Sequence, residues 1–170
     1  MPHTPNQITE LFEFANGLAD TARALVLDDW DKKPQVASKP DHSLVSELDY
    51  KVELQCRELI AERFPGHGIL GEEYGGHNPT SDWKWIIDPI DGTTNFTRGI
   101  KDVTVAIAAV KNDTVILGVV YNPFSRELFS AEEGKGAFLN GVAISVSRIE
   151  SLEDIIVTQS FAYSSKFRKD

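Results

Sequence analysis

Apolar residues recur at helical spacing near the start of the chain, at Ile8, Leu11, Phe12, Ala15, Leu18, Ala19, Ala22 and Val26. Thr4, Pro5 and Gln7 stand ahead of them as an N-cap, a first-turn proline and a capping-box partner, so the pattern predicts a helix from there. A second stripe, Leu48, Val52, Cys56, Leu59, Ile60 and Phe64, stops at Pro65-Gly66 and predicts a helix beginning near Ser46. Lys33 to His42 is polar and holds two prolines, which predicts a loop, or at most a short hairpin, able to swing over a cleft.

From His67 the period shortens. Ile69-Leu70, Trp83 to Ile87, Val103 to Val110, Thr114 to Tyr121, Glu127 to Ala131 and Ala137 to Leu139 are short β-branched or aromatic segments that predict strands. Lys111-Asn112-Asp113, Asn122-Pro123 and Asn140-Gly141 between them are turn chemistry of the kind that joins antiparallel neighbours. Two helices followed by a meander predict an α+β fold, a layered α/β sandwich with the helices packed on a largely antiparallel sheet. The organisation expected is one domain over residues 1–150, then the start of a second α/β half over 151–170, where Ile155 to Val157 opens a strand ahead of the polar tail Ser164 to Asp170.

Composition narrows the functional classes. With 26 acidic against 17 basic residues and a formal charge of -9, the chain offers no general surface for nucleic acid or anionic membrane. A phosphorylated small molecule stays possible, because a bound divalent cation reverses the local field. The lone Cys56 excludes an internal disulfide and a thiolate metal site, which fits a reducing, cytoplasmic setting, and its place on an apolar stripe marks it as a packing residue. His3, His42, His67 and His77 lack ligand spacing, and Trp83 and Trp85 read as packing and interface residues because no basic groove accompanies them.

The chemistry concentrates in Trp85-Ile86-Ile87-Asp88-Pro89-Ile90-Asp91-Gly92-Thr93-Thr94-Asn95-Phe96. A strand end here can offer the Asp88 and Asp91 carboxylates and an intervening carbonyl to a hard cation, while Gly92-Thr93-Thr94 can open a helix whose free amides face a phosphate. Read alone, the segment is more readily an acidic turn with Asp91 capping a helix. Gly71-Glu72-Glu73 ends another strand-like segment in acids, and Asp49 lies in the first turn of the second helix, so four carboxylates could converge.

Taken together, Lys39 to Asp49, Gly71-Glu72-Glu73 and Trp85 to Phe96 resemble the signature of the inositol monophosphatase family in order and spacing, and the similarity extends through Gly99-Ile100 and Gly134 to Gly141. The resemblance implies a layered sandwich, hydrolysis of small phosphomonoesters, Mg²⁺ dependence, lithium sensitivity and a homodimer. It further implies that Glu72, Asp88 and the Ile90 carbonyl hold one Mg²⁺ and that Asp88 and Asp91 reach a second. By the same resemblance Glu72 faces the attacking water, Thr93 supported by Asp49 orients and helps deprotonate it, and the Gly92 and Thr93 amides hold phosphate oxygens. Lys39 is placed near the entrance as an extra positive charge, beside the plainer reading of an exposed surface lysine.

Family members continue into a second α/β half with a Trp-Asp motif that completes the second metal site and selects the alcohol, and nothing in residues 1–170 matches it. Two readings follow. One is the catalytic half of an inositol phosphate or polyol phosphate phosphatase, with histidinol phosphate, fructose 1,6-bisphosphate and nucleotide 3'-phosphates as rival substrates. The other is a truncated, weakly active or inactive binding protein of the same fold.

Overall fold

The computed structural model describes residues 5–32, 35–39 and 44–158. The Thr4 cap, His3, His42 and the tail Ser164 to Asp170 lie outside the described residues. Helix α1 spans Pro5–Asp29 and is followed by a 3-10 turn at Trp30–Lys32. Short strands β1 (Val36–Ser38) and β2 (Leu44–Ser46) pair antiparallel, so the expected loop or hairpin is a hairpin. Helix α2 runs Glu47–Arg63 from an N-cap at Ser46, and its capping-box partner is Asp49.

An eight-stranded sheet follows: β3 (Gly68–Gly71), β4 (Gly75–His77), β5 (Trp83–Asp91), β6 (Thr104–Lys111), β7 (Thr114–Asn122), β8 (Glu127–Glu132), β9 (Gly136–Leu139) and β10 (Val142–Ile144), with helix α3 (Thr93–Thr97) between β5 and β6. Its spatial order is β10-β9-β8-β7-β6-β5-β3-β4, and every neighbouring pair is antiparallel except β3 and β5. β5 through β10 form the meander that the turn residues specify. Strands β4 and β10, not foreseen from the pattern, are three-residue edges with glycine or exposed side chains, too short to carry a periodic signal.

One face of this sheet is covered by α1, which packs on β6 and β7, and by α2, which packs on β5. Leu11, Leu18, Leu48, Ile60, Trp85, Ile87, Val105, Ile107, Leu117 and Val119 meet there, each at most 2% exposed. Each fully buried aliphatic of this size stabilises the fold by roughly 1.5–3 kcal/mol. Cys56 is among them, and burial pushes its thiol up to about 12, in keeping with a packing role. Trp85 Nε1 donates to His67 Nδ1 at 3.1 Å, and the His67 ring stacks on Phe64 and Trp83, so this half-buried histidine is a structural acceptor.

The opposite face is open. Strand alternation puts Leu70, Ile86, Val120 and Phe129 there, and they are 50%, 40%, 39% and 41% exposed. The strand expected from Ile155 to Val157 is absent: after a 3-10 turn at Leu152–Asp154 the chain is irregular, with Ile156 95% and Val157 75% exposed. Apolar, β-branched residues make a strand only where a neighbour supplies ladder hydrogen bonds, and no described segment lies alongside these.

Candidate metal and phosphate site

Parallel pairing sets the C-terminal end of β3 beside β5, with Gly71 opposite Ile87. Glu72 leaves the sheet at that point, and its N–H donates to the Ile87 carbonyl at 3.2 Å, one residue before Asp88. β5 runs on to Asp91, past a register irregularity between Asp88 and Asp91 that turns the strand where the acids lie. Gly92 then adopts φ 98° as the N-cap of α3, and a Cβ there would come within 3.1 Å of the Asp102 carbonyl, so only glycine suits both the conformation and the space.

Asp49 reaches this junction from α2. It is 1% exposed, its Oδ2 accepts from the Ser46 N–H at 2.8 Å and from the Ser46 hydroxyl, and its Oδ1 faces Thr93 Oγ1 at 3.1 Å. Burial raises the Asp49 pKa even though these hydrogen bonds favour its anion. The Thr93 hydroxyl is also 3.1 Å from the Ile90 carbonyl, and its single proton serves one acceptor at a time. Thr93, Asp49, Ile90, Asp91 and Gly92 are thus brought to one place.

Asp88 is electrostatically the most perturbed of the set. Burial, then the charge of Glu72 and a side-chain hydrogen bond with it, then the charge of Asp91, push its carboxyl up to about 7, and its Oδ1 is buried without a hydrogen-bond partner. A buried, unpartnered carboxylate oxygen beside two further acids is costly by itself and fits a hard divalent cation. The acids do not form a closed ligand set as they stand: among the described residues, no three His, Cys, Asp or Glu side chains are grouped closely enough to hold a metal. Glu72, besides its side-chain contact with Asp88, accepts at Oε1 from Lys39 Nζ at 2.7 Å, while Glu73 Oε1 accepts from the same ammonium at 2.8 Å.

Lys39 therefore departs from the exposed-lysine reading. Its side chain is 19% exposed, and although burial alone would lower its pKa, hydrogen bonds to Glu72 and Glu73 raise it well above the usual lysine range. It stands as a cation against Glu73 and against Glu72, the acid that the family resemblance implies as a metal ligand. His77 is exposed on edge strand β4, and no contact joins it to the acids. A separate cavity of about 310 Å³, lined in part by Phe12, Asn16, Leu128 and Phe138, holds none of the site acids.

Two partners went unrecognised in the sequence, Glu53 and Arg57 on α2. Glu53 follows Asp49 by four residues within the stripe Leu48, Val52 and Cys56, and an acid repeated on an apolar face was the available signal.

Comparison with known proteins places these features in context. Residues 7–168 match the model of the inositol monophosphatase family. A histidinol-phosphatase of Chlorobaculum parvum is 38% identical over 155 residues, covering 89% of this chain and 60% of that protein. The Thermotoga maritima IMPase superposes with a TM-score of 0.80 at 36% identity, over 85% of this chain and 56% of that one. An IMPase/NADP phosphatase solved in complex with Mg²⁺ and phosphate gives a TM-score of 0.72 at 26% identity, over 81% and 53% of the two chains. The chain spans between 52% and 60% of the length of the curated relatives it matches first.

Proposed function

The chain belongs to the inositol monophosphatase family, and from that premise we propose that it supplies the cation- and phosphate-binding half of a Mg²⁺-dependent phosphomonoesterase. The substrate is inositol monophosphate or a similar polyol or sugar phosphate. The observation that carries the reading is Asp88, a half-buried carboxylate with one buried, unpartnered oxygen, close to Glu72 and Asp91.

In this reading residues 1–150 form the metal and phosphate unit and 151–170 begin a second α/β half. Glu72, Asp88 and the Ile90 carbonyl would hold one Mg²⁺, with Asp88 and Asp91 reaching another. When bound, the cations lower the pKa of water and neutralise charge on the phosphoryl oxygens. Thr93 orients the attacking water by its hydroxyl, and Asp49, kept buried and with a raised pKa, draws that hydroxyl's proton toward Oδ1 and sets its direction. Glu72 turns from Lys39 to face the same water. The Gly92 and Thr93 amides hold phosphate oxygens, a position that the left-handed Gly92 backbone leaves open to a close approach.

A homodimer and a cytoplasmic setting complete the proposal; the single buried cysteine suits a reducing compartment. No described helix is long and apolar enough to cross a membrane. The test is Mg²⁺-dependent phosphate release from inositol 1-phosphate, fructose 1,6-bisphosphate, histidinol phosphate and a nucleotide 3'-phosphate, by this chain and by a version extended to the relatives' length. Turnover that vanishes in Asp88→Asn supports the enzyme. The lack of a closed ligand set among the described acids favours a second reading, a weakly active or inactive binding protein of the same fold, and Mg²⁺ binding without turnover in either length would select it.

A further inference from the structure

Glu53 is fully buried, which is an expensive place for a carboxylate unless nearly every lone pair is used. Its Oε2 accepts the Glu73 N–H at 2.6 Å, its Oε1 accepts the Tyr74 N–H at 3.1 Å, and Arg57 Nε donates to Oε1 at 2.7 Å. Arg57 in turn donates through Nη2 to the Gly75 carbonyl, and its guanidinium lies 5.7 Å from the centre of the Tyr74 ring. Together the two side chains bind the backbone at residues 73, 74 and 75.

The approach is possible only because residue 71 is glycine. A Cβ at Gly71 would fall 1.9 Å from Glu53 Oε1. If α2 merely had to pack on β3, an apolar side chain would do so at lower cost in desolvation. The charge is applied instead to the amide that follows Glu72. Glu72 is then fixed from both sides, through its own N–H to the Ile87 carbonyl and through the next amide to Glu53. Asp49 lies four residues earlier on the same helical face and holds Thr93, so one turn of α2 spaces the Thr93 side of the site from the Glu72 side.

We propose that Glu53, charge-paired with Arg57, is a positioning residue that sets Glu72 at the distance from Asp88 that a shared divalent cation requires. The assignment rests on the reading of Glu72 as a metal ligand. Loss of such a supporting partner costs about 10- to 100-fold in metal affinity in other sites.

The experiment titrates Mg²⁺ into the chain by calorimetry for the parent, Glu53→Gln, Arg57→Met and Glu72→Gln, and follows amide hydrogen exchange at Glu73 and Tyr74. Glu53→Gln should weaken Mg²⁺ binding about tenfold and speed exchange at those two amides, with protection in the β6 and β7 core unchanged. Arg57→Met should move both readouts in the same direction by less, and it carries the test if Glu53→Gln does not fold. If Glu72→Gln weakens binding while the folded Glu53 and Arg57 variants match the parent, the positioning role is wrong and the metal site stands. If the parent shows no Mg²⁺ binding, or Glu72→Gln binds like the parent, the ligand reading itself fails and takes this role with it.

Discussion

Without a cation, replacing Asp88 by Asn should make the protein more stable at alkaline pH. The carboxyl is pushed up to about 7 by burial and by Glu72 and Asp91, against an ordinary value of ~3.9, and one of its oxygens is unpartnered. An acid whose folded-state pKa lies above its unfolded value holds its proton in the folded chain after the unfolded chain has lost it. Stability therefore falls as pH rises from ~4 to about 7 and stays reduced above that. At ~1.36 kcal/mol per pKa unit the full difference would be about 4 kcal/mol, and partial solvent access screens this to about 1–2 kcal/mol. For a chain of this size each kcal/mol moves Tm by about 2–4 °C. Thermal melts in a chelator should thus place Asp88→Asn several degrees above the parent at pH 8 and level with it near pH 4. Adding Mg²⁺ at pH 8 should raise the parent and leave the variant nearly unmoved, because the carboxylate that destabilises the free protein is the one that binds the cation. A variant less stable than the parent at pH 8 in chelator, or equal stabilisation of both by Mg²⁺, would refute the reasoning.

Three further outcomes follow from the same geometry. In an active, extended form Thr93→Ala should lower kcat by about 100-fold or more with KM and Mg²⁺ affinity little changed, since the hydroxyl held by Asp49 acts on the water; a normal kcat removes Thr93 from the mechanism. Lys39→Gln should destabilise the metal-free protein by about 1–2 kcal/mol, leaving Glu72 and Glu73 uncompensated, and Mg²⁺ should recover the loss in a denaturant titration; recovery that fails at saturating Mg²⁺ would separate the lysine from the cation site. The chain should self-associate through its uncovered sheet face in light scattering, and Ile86→Lys with Val120→Lys should shift it toward monomer; a monodisperse parent monomer would show that this face needs no cover.

Both long helices and the six longer strands were legible in the sequence because each is a local period read against one buried face. Ile8 to Val26 repeats at helical spacing, and Val105, Ile107 and Ala109 alternate with half-open positions. The candidate site was legible in part for the same reason: Asp88, Asp91, Gly92 and Thr93 lie close together along one short segment, and their strand-to-helix turn is written in neighbouring residues.

What the sequence by itself determined is therefore the long helices and longer strands, their α+β class, the family and the order of the acids along the chain. The partners across the sheet were decided only in three dimensions. Whether Ile155 to Val157 forms a strand depends on a neighbour the segment cannot specify, so an apolar run became exposed, irregular chain. Lys39 became a partner of Glu72 across 33 residues, and Glu53 a buried clamp on an amide 20 residues away. Local patterning fixes which face a residue takes, but the cost of burying a charge and the partners that offset it depend on what the tertiary fold brings alongside, and no spacing along the chain encodes that distance.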